Sequence, residues 1–186
     1  MITSKQQLWE YIHADRKVQG MQHPLLAKFT FGENAMIRKY MTNLRKAEYW
    51  KAHSEKWGGK LMYAYHFLKH RRMCLKYGMY IGLNAVGKGF FIVHPGFIRI
   101  DSWVHIGENC TVLPMVLFGR AHPIDGTEIF VGDNCYVGTG ATILGPIKIG
   151  NNVTIAAGAV VTKDVPDNVV VAGVPAKIVK YKDCRL

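Results

Sequence analysis

VGTGATILGPIKIGNNVTIAAGAVV, residues 137–161, puts an aliphatic side chain at every sixth position: Val137, Ile143, Ile149, Ile155 and Val161. A helix repeats near 3.6 residues and a strand near 2, so neither explains a period of six. Outward from this stretch the phase reads VGDNCY, VGTGAT, ILGPIK, IGNNVT, IAAGAV and VTKDVP. The first residue of each is aliphatic, from Val131 to Val161. The fifth is small or aliphatic: Cys135, Ala141, Ile147, Val153, Ala159 and Val165. Six successive hexads with both positions filled predict a triangular β-solenoid. One hexad makes a short strand and a corner, and three make a coil of 18 residues. The first residue fills the prism, and the fifth turns inward beside a corner. Gly, Asn and Asp suit the corners because they tolerate positive φ. Stacked coils set each hexad over the one 18 residues away, as in other repeat architectures.

Residues 4–77 follow a different grammar. SKQQLWEYIHADRK can start a helix with Ser4 as N-cap. NAMIRKYMTNLRKAEYWKAHSEKW carries Met36, Ile37, Tyr40, Met41 and Leu44 on one apolar face. GGKLMYAYHFLKHRRMCLKYG reads as a third, basic helix begun after Gly58-Gly59 and stopped at Gly78. This divides the 186 residues into a helical region, 1–78, and a repeat domain, 79–186. Hydrophobic content of 49% with 20% charged residues supports a packed core, not disorder.

The formal charge is +11, and residues 1–80 hold 15 Lys/Arg against 5 Asp/Glu. Such a half could meet nucleic acid, an anionic surface or a phosphorylated ligand, or be a solvated helical face. No reader motif accompanies it, so nucleic acid is not expected. No run of 18 apolar residues occurs, which makes membrane contact unexpected and a cytoplasmic protein the expectation. Cys74, Cys110, Cys135 and Cys184 form no CxxC pair or zinc-spaced cluster, so no metal site is expected. Cys110 and Cys135 fall at fifth positions and read as small buried side chains.

VGKGFFIVHPGFIRIDSWVHIGENCTV, the inserted FGRAHPIDGTEIFVGDN and VTKDVPDNVVVAGVPAKIVK make residues 76–181 resemble the hexapeptide-repeat acyltransferases, most of all their serine O-acetyltransferase branch. The rhythm breaks where that branch breaks it: Val86 to Ile106 spans 20 residues, and Phe118 to Val131 spans 13. The resemblance implies an α+β protein with an N-terminal helical region followed by a left-handed parallel β-helix. It implies acetyl-CoA as co-substrate, a hydroxyl acceptor and a homotrimer whose clefts lie between adjacent β-helices. Three departures stand out. Met79 replaces the aspartate usual 15 residues before the catalytic histidine, and Val93 replaces one often found just before it. YKDCRL does not resemble the tail that docks into cysteine synthase. A sugar or surface-polysaccharide acceptor is therefore the alternative to serine, and a non-catalytic β-helix scaffold is a third reading.

Acetyl transfer from a thioester needs a base for the hydroxyl proton, a hold on the developing oxyanion and two positioned reactants. His94, at the rhythm break, matches the family's catalytic histidine; a His-Pro turn is the plain alternative. His122, in the inserted loop, is either a site residue or a solvated one, and His105 is expected to face solvent. Asp101 or a residue of loop 120–128 would orient the base. Gly138, Gly140, Ala156, Ala157, Gly158 and Gly173 form a column of small residues suited to an extended pantetheine arm, unless they merely make tight corners. Lys163 and Lys177 could meet coenzyme A phosphates or simply be solvated.

Overall fold

The computed structural model of the protein describes residues 1–20, 32–120 and 128–182. Three helices come first: α1 (Lys5–Val18), α2 (Glu33–Ala52) and α3 (Trp57–Tyr77). Ser4 caps α1 by accepting from the Gln7 amide at 3.1 Å. On α2, Ile37, Tyr40, Met41 and Leu44 are buried, as their 3/4 spacing requires. α3 starts at Trp57, ahead of its glycine pair: Gly59 lies inside the first turn, where a Cβ would meet the His53 carbonyl. Gly78, at φ +68°, ends it in the left-handed cap that glycine favours.

Five coils of parallel β-helix follow, with three faces. Face I stacks Met79–Ile81, Ile98–Ile100, Val116–Arg120, Thr142–Gly145 and Val160–Val161. Face II stacks Val104–Ile106, Ile129–Val131 and Ile147–Ile149, extended by bridges Val86↔Ile106 and Ile149↔Val165. Face III stacks Phe91–Ile92, Thr111–Val112, Tyr136–Val137, Thr154–Ile155 and Val169–Ala172, and the antiparallel Lys177–Tyr181 closes it. The inward residues of all three faces are buried and aliphatic or small, so they fill the prism as the hexad pattern predicts.

Register shows where the chain departs from six. Val131 to Val137, Val137 to Ile143, Ile143 to Ile149 and Ile149 to Ile155 each span six residues, and the stacked pairs lie 18 apart. Coils two and three lie 25 apart at Ile106↔Val131, the extra seven residues belonging to the insert. The last coil corrects the sequence reading. Val165 stacks on Ile149, a first position, so the strand-to-strand step from Val161 shrinks to four and the coil offset to 16. Val165 therefore does not act as a fifth-position residue, and Gly173 falls in line with Ala157.

Buried polar groups fasten the helices to the first coil. The fully buried Arg45 of α2 donates to Asp15 (2.8 Å) and Glu48 (3.2 Å), and to the carbonyls of Val86 (2.9 Å) and Gly87 (2.6 Å). Asp15 accepts from the Phe90 amide, and Glu48 from the Asn84 amide. Burial alone would disfavour the guanidinium charge; the Glu48 and Asp15 carboxylates more than offset it and raise the Arg45 pKa.

Candidate active site

Each edge of the prism must turn the chain, and a residue with positive φ does this three positions after an inward first residue. On edge II–III those residues are Gly89, Asn109, Asn134, Asn152 and Asn168. On edge III–I they are Met115, Gly140 and Gly158, with Gly173 closing the last coil. Asparagine can thus make the corner, and Asn152 adds a 2.9 Å side-chain bond to Asn168 in the next coil. Edge III–I carries no such amide ladder. Thr139, Gly140, Ala157, Gly158 and Gly173 are exposed there, and a Cβ on Gly158 would meet nothing within 4 Å. Tight corners alone do not account for this bare strip.

Gly138 belongs to the same edge but is buried. A Cβ on it would stand 2.6 Å from the Ala157 amide nitrogen, so its part is to let two coils touch. Ala156 is half-buried and donates to the Val171 carbonyl. Lys177 begins the final strand beside Ala172, at the end of the edge. Lys163 lies on edge I–II, across face I from the strip.

His94 opens the same edge. It follows Ile92 by two residues, as Pro114 follows Val112, Thr139 follows Val137 and Ala157 follows Ile155. Stacking of this edge is continuous: Val93 donates to Val112, Leu113 to Val137, and Gly138 to Ile155. The turn carrying His94 is longer than its neighbours, eight residues from Ile92 to Ile100 against six from Val112 to Phe118. The extra length lets the imidazole stand out from the wall, where its side chain is 61% exposed. Its Nδ1 lies 2.9 Å from Oε2 of Glu33, at the start of α2.

Other expectations resolve differently. The Asp101 carboxylate is engaged by Arg99 at 3.2 and 3.3 Å, so the carboxylate beside His94 comes from Glu33. Glu33 was not singled out from sequence, because it stands 61 residues away with no spacing rule to connect it. Met79 is fully buried in the prism. His105 is exposed and stacks on Phe130, centroids 5.0 Å apart. Cys110 and Cys135 are buried free thiols. The Cys135 hydrogen bond and burial raise the Cys110 pKa, which keeps it protonated and a poor nucleophile. His122 and Cys184 lie outside the described residues. Among the described residues no cluster of three metal-ligating side chains occurs.

Residues 128–163 match the family model described as bacterial transferase hexapeptide (six repeats). The chain is a hexapeptide-repeat protein. The repeat domain is similar to serine acetyltransferases of Mycobacterium tuberculosis (38% identity over 96 residues, 51% of this chain and 42% of the relative) and Staphylococcus aureus (36% over 108 residues, 54% and 48%). The chain spans about half the length of these curated relatives. The whole hexapeptide-repeat chain, helices included, superposes on Neisseria gonorrhoeae serine acetyltransferase with TM-score 0.70 and 26% identity, over 96% of this chain and 67% of the other. Brucella abortus serine acetyltransferase in complex with coenzyme A gives TM-score 0.71 at 22% identity, over 97% and 70%, a likeness of fold. Helices followed by a left-handed parallel β-helix are thus the build of this protein and of the serine acetyltransferases.

Proposed function

We propose that the protein is an acetyl-CoA-dependent O-acetyltransferase, with residues 1–78 as its helical region and 79–186 as its acyltransferase domain. The observation that carries this reading is one edge of the prism bearing both a protruding histidine and a bare strip. Acetyl-CoA brings an activated acetyl thioester. The strip of Gly140, Ala156, Ala157, Gly158 and Gly173 fits an extended pantetheine arm because no side chain fills its path, and Gly138 keeps the coils beneath it in contact. Lys177 at the end of the strip, and Lys163 across face I, are point charges for the phosphates. His94 takes the acceptor hydroxyl proton as the oxygen attacks the thioester carbonyl, and the proton passes to the departing thiolate. A homotrimer supplies the second wall of each cleft; a stable monomer at micromolar concentration by sedimentation would overturn that part.

Serine is the first acceptor to test, because the relatives are serine acetyltransferases. A sugar or surface-polysaccharide hydroxyl is favoured by Met79 and Val93, which remove two carboxylates usual near the histidine. Coenzyme A release should be followed with serine, homoserine and a sugar panel. Turnover with one class names the acceptor. No release with any would favour the non-catalytic scaffold. His122→Ala is the companion to His94→Ala. If it abolishes turnover while His94→Ala stays active, the base lies in the inserted loop.

A further inference from the structure

We infer that Glu33 is the positioning residue of the catalytic histidine, holding His94 in the one tautomer that can act as a base. The inference rests on the acetyltransferase reading above. Imidazole Nδ1 and the Glu33 carboxylate are 2.9 Å apart. An ionised carboxylate can only accept a hydrogen bond, so Nδ1 must carry the proton in the neutral ring. Nε2 then keeps its lone pair, turned away from Glu33 and free to accept a hydroxyl proton. The same contact favours the imidazolium formed during the reaction.

The position of Glu33 is built. It occupies the first turn of α2, where a negative side chain suits the helix dipole. Its neighbour Asn34 accepts from Nε2 of Gln19 at 3.1 Å, and the same Nε2 donates to the Ile92 carbonyl at 2.9 Å. Gln19 is itself buried. One side chain therefore ties the residue after Glu33 to the residue two before His94. No carboxylate at position 79 could do this work, since that side chain points into the apolar prism. The helical region thus supplies a piece of the site that the repeats lack.

Both partners are more than half exposed, and such pairs add little to stability, so loss of Glu33 should leave the unfolding midpoint nearly unchanged. The test uses ¹⁵N-histidine-labelled protein at a pH where the ring is neutral, with His94→Asn to assign the resonances. The wild type should show His94 protonated at Nδ1, and Glu33→Ala should move it toward the Nε2-protonated form. Glu33→Gln, which can both accept and donate, should hold the contact without enforcing the tautomer. In turnover, Glu33→Ala should lower kcat at nearly constant acetyl-CoA KM, by less than the loss of roughly 10² to 10⁴ expected for His94→Ala. An unchanged tautomer in Glu33→Ala overturns the inference, as does full kcat beside an inactive His94→Ala. A wild type with the Nδ1-protonated ring but no turnover on any acceptor overturns its catalytic part together with the proposed function, leaving the pairing itself in place.

Discussion

Two edges of the same prism solve the same turn with different residues. Edge II–III spans six residues in every coil: Val86 to Ile92, Ile106 to Val112, Val131 to Val137, Ile149 to Ile155 and Val165 to Val171. It turns on asparagine in four of its five coils, and Asn152 and Asn168 are joined between coils. Edge III–I has one overlong turn, carrying His94, and beyond Met115 it turns on glycine. The regular edge spends its corner side chains on coil-to-coil contacts. The other leaves its surface bare, which has no structural advantage over asparagine but leaves room for a ligand. The helices treat the edges differently too: Arg45 and Asp15 reach edge II–III through buried bonds, while Glu33 reaches edge III–I at the surface.

If that division is right, variants on edge III–I lose function and variants around edge II–III lose stability. His94→Ala should lower turnover by about 10² to 10⁴, with acetyl-CoA KM little changed in steady-state kinetics. Activity should also fall on acidification, because only the neutral ring accepts a proton. Arg45→Ala leaves Asp15 and Glu48 as buried, unpaired carboxylates, and should cost about 3–5 kcal/mol in urea unfolding. A loss below about 1 kcal/mol would mean that water reaches the pair and that the helices are not anchored there.

Ala157→Trp should fold normally, because the residue is exposed, yet raise the acetyl-CoA KM about tenfold or more, equivalent to about 1.4 kcal/mol. An unchanged KM in the folded variant would reduce the strip to a set of corners. A sharper comparison pairs Asn134→Ala with Gly158→Ala. Both put alanine at positive φ and should cost about 1 kcal/mol each. Only the glycine variant should alter coenzyme affinity; equal effects on KM would erase the distinction between the edges.

The smallest effect is a pH dependence of stability in the helical region. Burial lowers the pKa of His66 and of His70, the latter partly restored by its 2.9 Å bond to the Ile81 carbonyl. A histidine held neutral in the fold contributes stability that is fully present above its unfolded pKa near ~6.5 and is lost as pH falls toward the folded value. The melting temperature should therefore drop on acidification below about pH 6.5, and His70→Gln should flatten the slope. A slope that His70→Gln leaves intact would assign it to other groups.

Legibility followed the range of the interactions. The hexad phase from Val131 to Val161 could be read because each inward residue meets the same environment every six positions, so local pattern and tertiary packing agree. The seven-residue insert and the long turn at His94 were visible as errors in that count. The short last turn was not. Val161 and Val165 are both apolar, and only the pairing of Val165 with Ile149 decides which place in the coil it takes. Asp101 looked available to His94 from its closeness in sequence, but Arg99, two residues away on the same strand, holds it.

By itself, then, the sequence determined the repeat, the helical region before it, the filling of the prism and the emergence of His94, because all follow from periodicity and from where periodicity fails. Tertiary structure alone decided that His94 and the bare strip share an edge, that asparagine and glycine divide two equivalent corners, and that Glu33 meets His94. Each of these depends on coils stacking in three dimensions or on a helix folding back across 61 residues, and no local spacing rule encodes such contacts.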